Sequence, residues 1–266
     1  MSVAPAFAPS AWVELAVAAC DEADALAMRA YRGAREVSTK TDGTLVTSAD
    51  REIERLIRQR IHAAHPDHGL IGEEYGPEGA DRSVRWYLDP IDGTSNFVRG
   101  VPIFATLIAV EREGILEAAV VSAPALRARW LAWRGGGAWS VDGGGRPSRL
   151  NVSTIATIPE AQLLYGSPSA LRASAALPGL DAVLSAAWRE RGFGDFWGHM
   201  LVAEGAAEGM IEYGLAAWDI AAPMLIVREA GGRCTDLQGK PELHGRGGFV
   251  SANAGIHEPL LAALRG

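Results

Sequence analysis

Residues 86–96, Trp-Tyr-Leu-Asp-Pro-Ile-Asp-Gly-Thr-Ser-Asn, constrain this chain more than any other stretch. Trp86, Tyr87 and Leu88 form a short apolar run of the kind that ends a buried strand, and it delivers Asp89 and Asp92 into a turn. Pro90 fixes its own backbone angle, keeps Asp89 out of the helical region and withholds one N–H. Gly93 removes the steric bar to a tight bend. The turn gathers two carboxylates, the Ile91 carbonyl and the Thr94 hydroxyl, all hard oxygen donors of the kind magnesium takes. The N–H groups of Gly93 and Thr94 point where an anion could sit. Asp-Pro followed by Asp-Gly is also ordinary turn chemistry, so the stretch alone does not separate a metal site from a loop.

Three other segments shift that balance. Ile71-Gly72-Glu73-Glu74 is an apolar approach to paired carboxylates, and Trp218-Asp219 opens an apolar, helix-like run. Leu45-Val46-Thr47-Ser48-Ala49-Asp50 begins a helix with an acid in its first turn, Thr47 and Asp50 having the spacing of a capping box. Four acids, Glu73, Asp89, Asp92 and Asp219, are costly to crowd together without cations. Divalent ions remove that penalty and let a phosphate dianion bind.

The set Glu73-Glu74, Asp89-Pro90-Ile91-Asp92-Gly93-Thr94 and Trp218-Asp219, ending in Glu229-Ala230-Gly231-Gly232, resembles the inositol monophosphatase family of magnesium-dependent, lithium-sensitive phosphatases. The likeness runs from about Trp12 to His257. Asn96-Phe97-Val98-Arg99-Gly100-Val101-Pro102, Val121-Ser122-Ala123-Pro124-Ala125-Leu126 and Gly194-Asp195-Phe196 are similar to its histidinol-phosphatase branch. The resemblance implies a five-layer αβαβα sandwich and two or three Mg²⁺ per site. By it, Glu73, Asp89, the Ile91 carbonyl and Thr94 surround the first ion and its water, and Asp89, Asp92 and Asp219 hold the second. Glu73 and Thr94 orient the attacking water, Gly93 and Thr94 seat the phosphate, and Asp50 hydrogen-bonds Thr94. Asp92, Asp195, Glu212 and Asp219 then border the substrate. Asp195 falls where inositol and sugar phosphatases carry a small residue; the alternative is that it only caps the helix it precedes. Two carboxylates beyond the phosphate suit a leaving group bearing an amine, as histidinol does. The expected reaction is hydrolysis of L-histidinol phosphate in histidine biosynthesis. The alternatives are an inositol or sugar monophosphatase, or a silent homologue that keeps its metal site.

Other chemistries lack their residues. The second Asp comes three positions after the first, not two, against an Asp-x-Asp nucleophile, and neither Gly-x-Ser-x-Gly nor Cys-x5-Arg occurs. Gly135–Gly137 lacks the Lys-Ser/Thr of a phosphate loop and reads as a hairpin. His62, His65 and His68, spaced three and three with Pro66 between and no Cys near, read as a solvated helix end rather than a zinc site. A net charge of −7 argues against nucleic acid. Two cysteines indicate a reducing compartment, no basic leader opens the chain, and no apolar run reaches the roughly 18 residues of a membrane span. A cytoplasmic enzyme is expected. Family members are commonly dimers, and the Trp12 face or the strands near 104–121 are the faces the sequence offers.

In order, residues 1–9 read as a tail, and Trp12 to Ala30 as an amphipathic helix ended by Gly33. The helix from Thr47 should bury Ile53, Leu56, Ile57, Ile61 and Ala64. Paired strands follow between Phe104 and Val141, giving an α+β N-terminal lobe over 1–145 with most of the metal ligands. The rest, 146–266, alternates strands and helices as an α/β lobe carrying Asp219 and the substrate residues, the two forming one catalytic unit. Its elements are a strand at 163–165, a helix at 182–189, and a helix from Asp195 that Gly209 closes. A strand at 210–213 and a helix at 218–230 complete it.

Overall fold

The computed structural model describes residues 7–33, 36–39, 45–174, 177–241 and 247–266. The first six residues of the expected tail lie outside it. Ser10 caps α1 (Ala11–Arg32), which buries Ala16, Ala19, Ala23 and Ala27 and stops at Gly33. A short pair, β1 (Val37–Thr39) and β2 (Leu45–Thr47), leads into α2 (Ser48–Ala64). The capping box is present: Thr47 N donates to Asp50 Oδ2 at 2.8 Å, and Ala49 N to Thr47 Oγ1 at 3.2 Å. Ile53, Ile57 and Ile61 form the buried stripe. Ala64 of the expected stripe is exposed, because the last turn leaves the core for Pro66; Glu54 and Arg58 are buried where charge was not expected.

The main sheet holds β3 (Gly69–Gly72), β4 (Gly76–Glu78) and β5 (Val84–Asp92), then, after the short helix α3 (Thr94–Arg99), β6 (Ala105–Arg112) and β7 (Ile115–Ala123). It continues through β8 (Ala128–Trp133), β9 (Gly137–Val141) and β10 (Pro147–Arg149), in the order β10-β9-β8-β7-β6-β5-β3-β4. Its described pairings are antiparallel except β3 with β5, which run parallel with Gly72 beside Leu88. That register matters: where β3 ends, Glu73 emerges next to Asp89.

The second half contributes β11 (Gln162–Tyr165), α4 (Pro168–Ala173), α5 (Leu180–Ala186), β12 (Arg189–Arg191), α6 (Asp195–Ala203), β13 (Gly209–Leu215), α7 (Ala217–Glu229), β14 (Arg233–Asp236), β15 (Gly247–Ala252) and α8 (His257–Arg265). Their sheet runs β12-β11-β13-β15-β14. Two boundaries differ from expectation. The helix thought to reach 189 ends at Ala186, since Arg189–Arg191 pair with Gln162–Leu164 as an edge strand. The helix from Asp195 ends at Ala203, because Gly205 takes a left-handed φ of 72° there; Gly209 opens β13 instead.

The layers are α1 and α2, the eight-stranded sheet, α6 and α7, the five-stranded sheet, and α4, α5 and α8: an αβαβα sandwich. Three apolar clusters fill it. One lies under α1 and α2, the central one joins both sheets to α6 and α7, and the third lies under α5 and α8. The central cluster runs from Tyr87 to Phe249, so both halves of the chain share it. Strands β6 and β7, one of the two faces offered for a dimer, are mostly buried between helix layers, with Ile115 exposed at the start of β7. The Trp12 ring on the other face carries the Arg112 guanidinium at 5.4 Å and the His68 ring at 6.3 Å.

Candidate active site

The site lies where β3 and β5 end against the first turn of α2 and the starts of α6 and α7. Trp86, Tyr87 and Leu88 bury β5 in the sheet, and the strand runs on through Asp92 with a break in its register to β6 between Asp89 and Asp92. The Pro90 carbonyl accepts from Thr106 Oγ1 at 2.9 Å, which fixes the turn to β6. Gly93 then takes φ 83°, and a Cβ there would stand 2.9 Å from the Ile103 carbonyl, so the reversal into α3 requires glycine. Thr94 opens α3 with its Oγ1 at 3.0 Å from the Ile91 carbonyl and 3.3 Å from Asp50 Oδ1. Asp50 is fully buried; Thr47 holds its other oxygen, so the capped end of α2 is clamped to the Asp89–Thr94 loop.

Three of the acids accept from a backbone donor. Asp89 Oδ1 accepts from Ile91 N at 3.0 Å, Asp92 Oδ2 from Phe196 N at 2.6 Å, and Asp219 Oδ2 from Ala216 N at 2.6 Å. Glu73 N donates to the Leu88 carbonyl at 3.1 Å. Asp219 thus uses a helix-start bond to turn α7 towards the loop, and Asp92 ties the start of α6 to it. Asp195 does not cap its helix. It is the first residue of α6, has a left-handed φ of 58°, and its Oδ2 accepts from Asn96 Nδ2 at 3.1 Å. Its own N–H donates to Glu212 Oε1 at 3.2 Å.

The charges are strongly one-sided. Burial pushes the Asp89 carboxyl well above its ordinary range, and the charges of Glu73, Asp92, Asp219 and Asp50 push it further. Asp92 is raised by burial, then by Asp195, Asp219 and Glu212, with only the Phe196 N–H opposing. Burial raises Asp219 to about 7, with Glu73, Glu212 and Asp195 adding to it. Asp195 rises to about 6 through burial and the Glu212 charge. Asp50 is raised by burial and lowered by its Thr47 bonds. All ten residues singled out from the sequence therefore fall in one cluster.

The acids meet at charge–charge range rather than as a closed shell. Among the described residues no three His, Cys, Asp or Glu side chains stand at metal-ligand spacing. Backbone bonds occupy one oxygen each of Asp89, Asp92 and Asp219: the first and last bond within their own turns, and Asp92 bonds to the start of α6. The donor set nevertheless suits a hard divalent cation: it is all oxygen, and every charge weighing most on Asp89 is negative.

One supporting residue escapes a reading of the sequence. Glu54 on α2 is 0% exposed and pairs with Arg58 Nε at 2.8 Å. It accepts from Glu74 N at 2.7 Å and Tyr75 N at 3.3 Å, so a buried ion pair holds the turn that carries Glu73. At i and i+4 the pair looks like an ordinary surface bridge; the only hint is its place beside the Ile53–Ile57 stripe. The histidines, by contrast, use their nitrogens and rings locally. His68 Nδ1 accepts from Trp86 Nε1 at 3.0 Å, His65 stacks on it at 4.3 Å, and His62 lies 3.3 Å from Glu78. A cavity of about 610 Å³ lined by Arg85, Glu111, Arg134 and Glu229 contains none of the clustered acids.

Comparison with known proteins accords with this geometry. The model of the inositol monophosphatase family matches residues 9–266. A histidinol-phosphatase of Mycobacterium tuberculosis is 44% identical over 94% of this chain and 96% of its own. An inositol-1-monophosphatase of Mesorhizobium japonicum is 37% identical over 86% of each. The solved structure of the extragenic suppressor protein suhB from Bartonella henselae superposes with a TM-score of 0.87 at 31% identity, covering 96% of this chain and 99% of that one.

Proposed function

The chain belongs to the inositol monophosphatase family and is a phosphoric monoester hydrolase, and we propose that the ester it cleaves is L-histidinol phosphate. The observation that carries this reading is the Asp195–Glu212 pair. Two half-buried or buried acids, joined by the 3.2 Å Asp195 N to Glu212 Oε1 bond, stand beside Asp92, whose carboxyl both push up. A leaving group that brings an ammonium would offset both charges, whereas a neutral polyol would leave them facing each other. The name of the 44% identical relative supports the same choice.

In this reading Glu73, Asp89, the Ile91 carbonyl, Asp92 and Asp219 would hold two or three Mg²⁺, which when bound would lower the pKa of a water and offset phosphoryl charge. Glu73 and Thr94 Oγ1 orient that water towards phosphorus. The N–H groups of Gly93 and Thr94 receive phosphoryl oxygens. Asp50 and the Ile91 carbonyl restrain the Thr94 hydroxyl, and Asp195 and Glu212 accept from the leaving group's ammonium. Water attacks phosphorus directly as the ester P–O bond to the leaving group breaks, and the departing oxygen takes up a proton from solvent, so no side chain becomes covalently attached. The buried free thiols of Cys20 and Cys234 fit a reducing cytoplasm. Among the described residues no helix is long and apolar enough to cross a membrane. A homodimer is part of the proposal.

Steady-state rates with Mg²⁺ on L-histidinol phosphate, inositol 1-phosphate and fructose bisphosphate test the substrate. The expected result is the highest kcat/KM on histidinol phosphate. A hundredfold preference for either of the others replaces it.

A further inference from the structure

We propose that His199 is a positioning residue for the leaving group, holding the Glu212 carboxylate in place through a hydrogen-bond chain that begins at Ser251. The proposal rests on the reading that Glu212 faces the leaving group; it does not depend on which leaving group that is. His199 lies on α6, one turn after Asp195, and is 1% exposed. Its Nε2 is 3.0 Å from Glu212 Oε2, and its Nδ1 is 2.7 Å from the Ser251 hydroxyl. Ser251 is fully buried on β15, beside Met210 of the strand that carries Glu212.

The chemistry of these groups assigns the protons. An ionised carboxylate only accepts, so His199 Nε2 carries the hydrogen and donates to Glu212. Nδ1 shares a hydrogen bond with the Ser251 hydroxyl, a group that can donate to a neutral ring or accept from a protonated one. In either case the ring is held at both nitrogens, with Nε2 aimed at the Glu212 carboxylate. The Phe249 ring packs edge-on to the imidazole with centroids 5.2 Å apart, which fixes the ring plane. On the opposite side Glu212 Oε1 accepts from Asp195 N, and Gly166 closes in so tightly that a Cβ there would stand 2.5 Å from Oε1.

A buried histidine is often only a satisfied core group. Here the chain ends on a carboxylate that also accepts from Asp195 N, at the start of the helix whose Phe196 N–H reaches Asp92. Loss of its donor would let the Glu212 side chain swing, which weakens its hold on the leaving group while leaving the phosphate seat at Gly93 and Thr94 in place.

The test compares His199→Phe, His199→Gln and Ser251→Ala with the unaltered enzyme, with Mg²⁺ present throughout. Each is assayed on the best substrate of the panel above and on p-nitrophenyl phosphate, whose flat leaving group offers Glu212 no donor. His199→Phe keeps a ring against Phe249 but removes both nitrogens; it should raise KM on the best substrate about tenfold, the worth of one bond to a charged group. Its kcat should stay within about twofold, and both constants on p-nitrophenyl phosphate should be unchanged, since the phosphate contacts are untouched. His199→Gln, whose amide nitrogen reaches the Nε2 position, should recover most of the loss. Ser251→Ala should give a smaller rise in KM in the same sense, and it decides the matter if His199→Phe does not fold. Equal losses on both substrates, or a fall in thermal stability with no selective rise in KM, overturn the proposal. The unaltered enzyme's preference within the panel judges the substrate separately: should inositol 1-phosphate win, the histidinol reading falls and the variants are read on inositol 1-phosphate.

Discussion

Glu54 and Asp89 are both acids sunk in the same lobe, and they meet opposite fates. Glu54 is 0% exposed and surrounded by donors: the Arg58 guanidinium and the N–H groups of Glu74 and Tyr75. Asp89 is 2% exposed, has one backbone donor from Ile91, and otherwise meets the charges of Glu73, Asp92, Asp219 and Asp50. The first is a finished structural element whose charge is balanced inside the protein. The second has no balancing charge inside the protein, and in the proposed function a cation supplies it. A protein folds with a cluster like the second because the surrounding sheet and helices are stable enough to hold it, and the strain becomes affinity for metal and phosphate.

Asparagine at Asp89 gives the largest expected effect and would break the contrast most sharply. The Asp89→Asn enzyme should lose about a thousandfold in kcat, within the range for removing a group that acts directly in the reaction. Its metal-free form should nevertheless melt at a higher temperature than the parent, because a repelling buried charge is gone; differential scanning calorimetry in EDTA reads this. Glu54→Gln should do the reverse. Breaking a buried pair leaves Arg58 uncompensated and should cost about 3 kcal/mol in urea unfolding, with or without metal. A Glu54→Gln protein as stable as its parent would erase the distinction.

Asp50→Asn should fall between them. It weakens the cap of α2, worth about 1 kcal/mol, and loosens Thr94, so kcat should drop about 10- to 100-fold, the usual effect of a residue supporting a metal site. Chemical denaturation and initial rates on one preparation separate the two losses. The smallest effect belongs to Asp195→Asn, which keeps an amide near Asn96 but removes charge. KM for an aminated substrate should rise about tenfold, with constants on p-nitrophenyl phosphate unchanged. Equal losses on both would remove Asp195 from the leaving group's side.

The sequence makes the second kind of acid easy to read and the first kind hard. Asp89, Ile91, Asp92, Gly93 and Thr94 lie in six consecutive positions, so their convergence follows from one turn. The Thr47–Asp50 box is likewise local, and the period of α1 and the hairpins through Val141 announce their own elements. Glu54 acquires its meaning from N–H groups twenty residues further on, and His199 from Glu212 and Ser251 on two other strands. Neither has a sequence signature, because a charge on a helix looks solvated until a sheet covers it. The boundaries of α5 and α6 were misread for a related reason. Arg189–Arg191 become a strand only because β11 is there to pair with, and Gly205 outranks Gly209 as a stop because it takes the left-handed turn first.

The uncompensated cluster also has a pH signature. Asp219 sits at about 7 in the folded protein against an ordinary 3.8, so between those values the folded state binds more protons than the unfolded one. Asp219 therefore makes the stability of the metal-free protein fall as pH rises from about 4 to about 7. Asp195, at about 6, adds to the same slope.

Melting temperature measured against Mg²⁺ concentration at pH 8, starting from EDTA-stripped protein, tests the account most directly. Ions that bind the folded cluster should raise it steadily, by about 2.7 kcal/mol of stability at a hundred times the dissociation constant, and the gain should disappear in Asp89→Asn. A melting temperature indifferent to Mg²⁺, or one raised equally in Asp89→Asn, would contradict it.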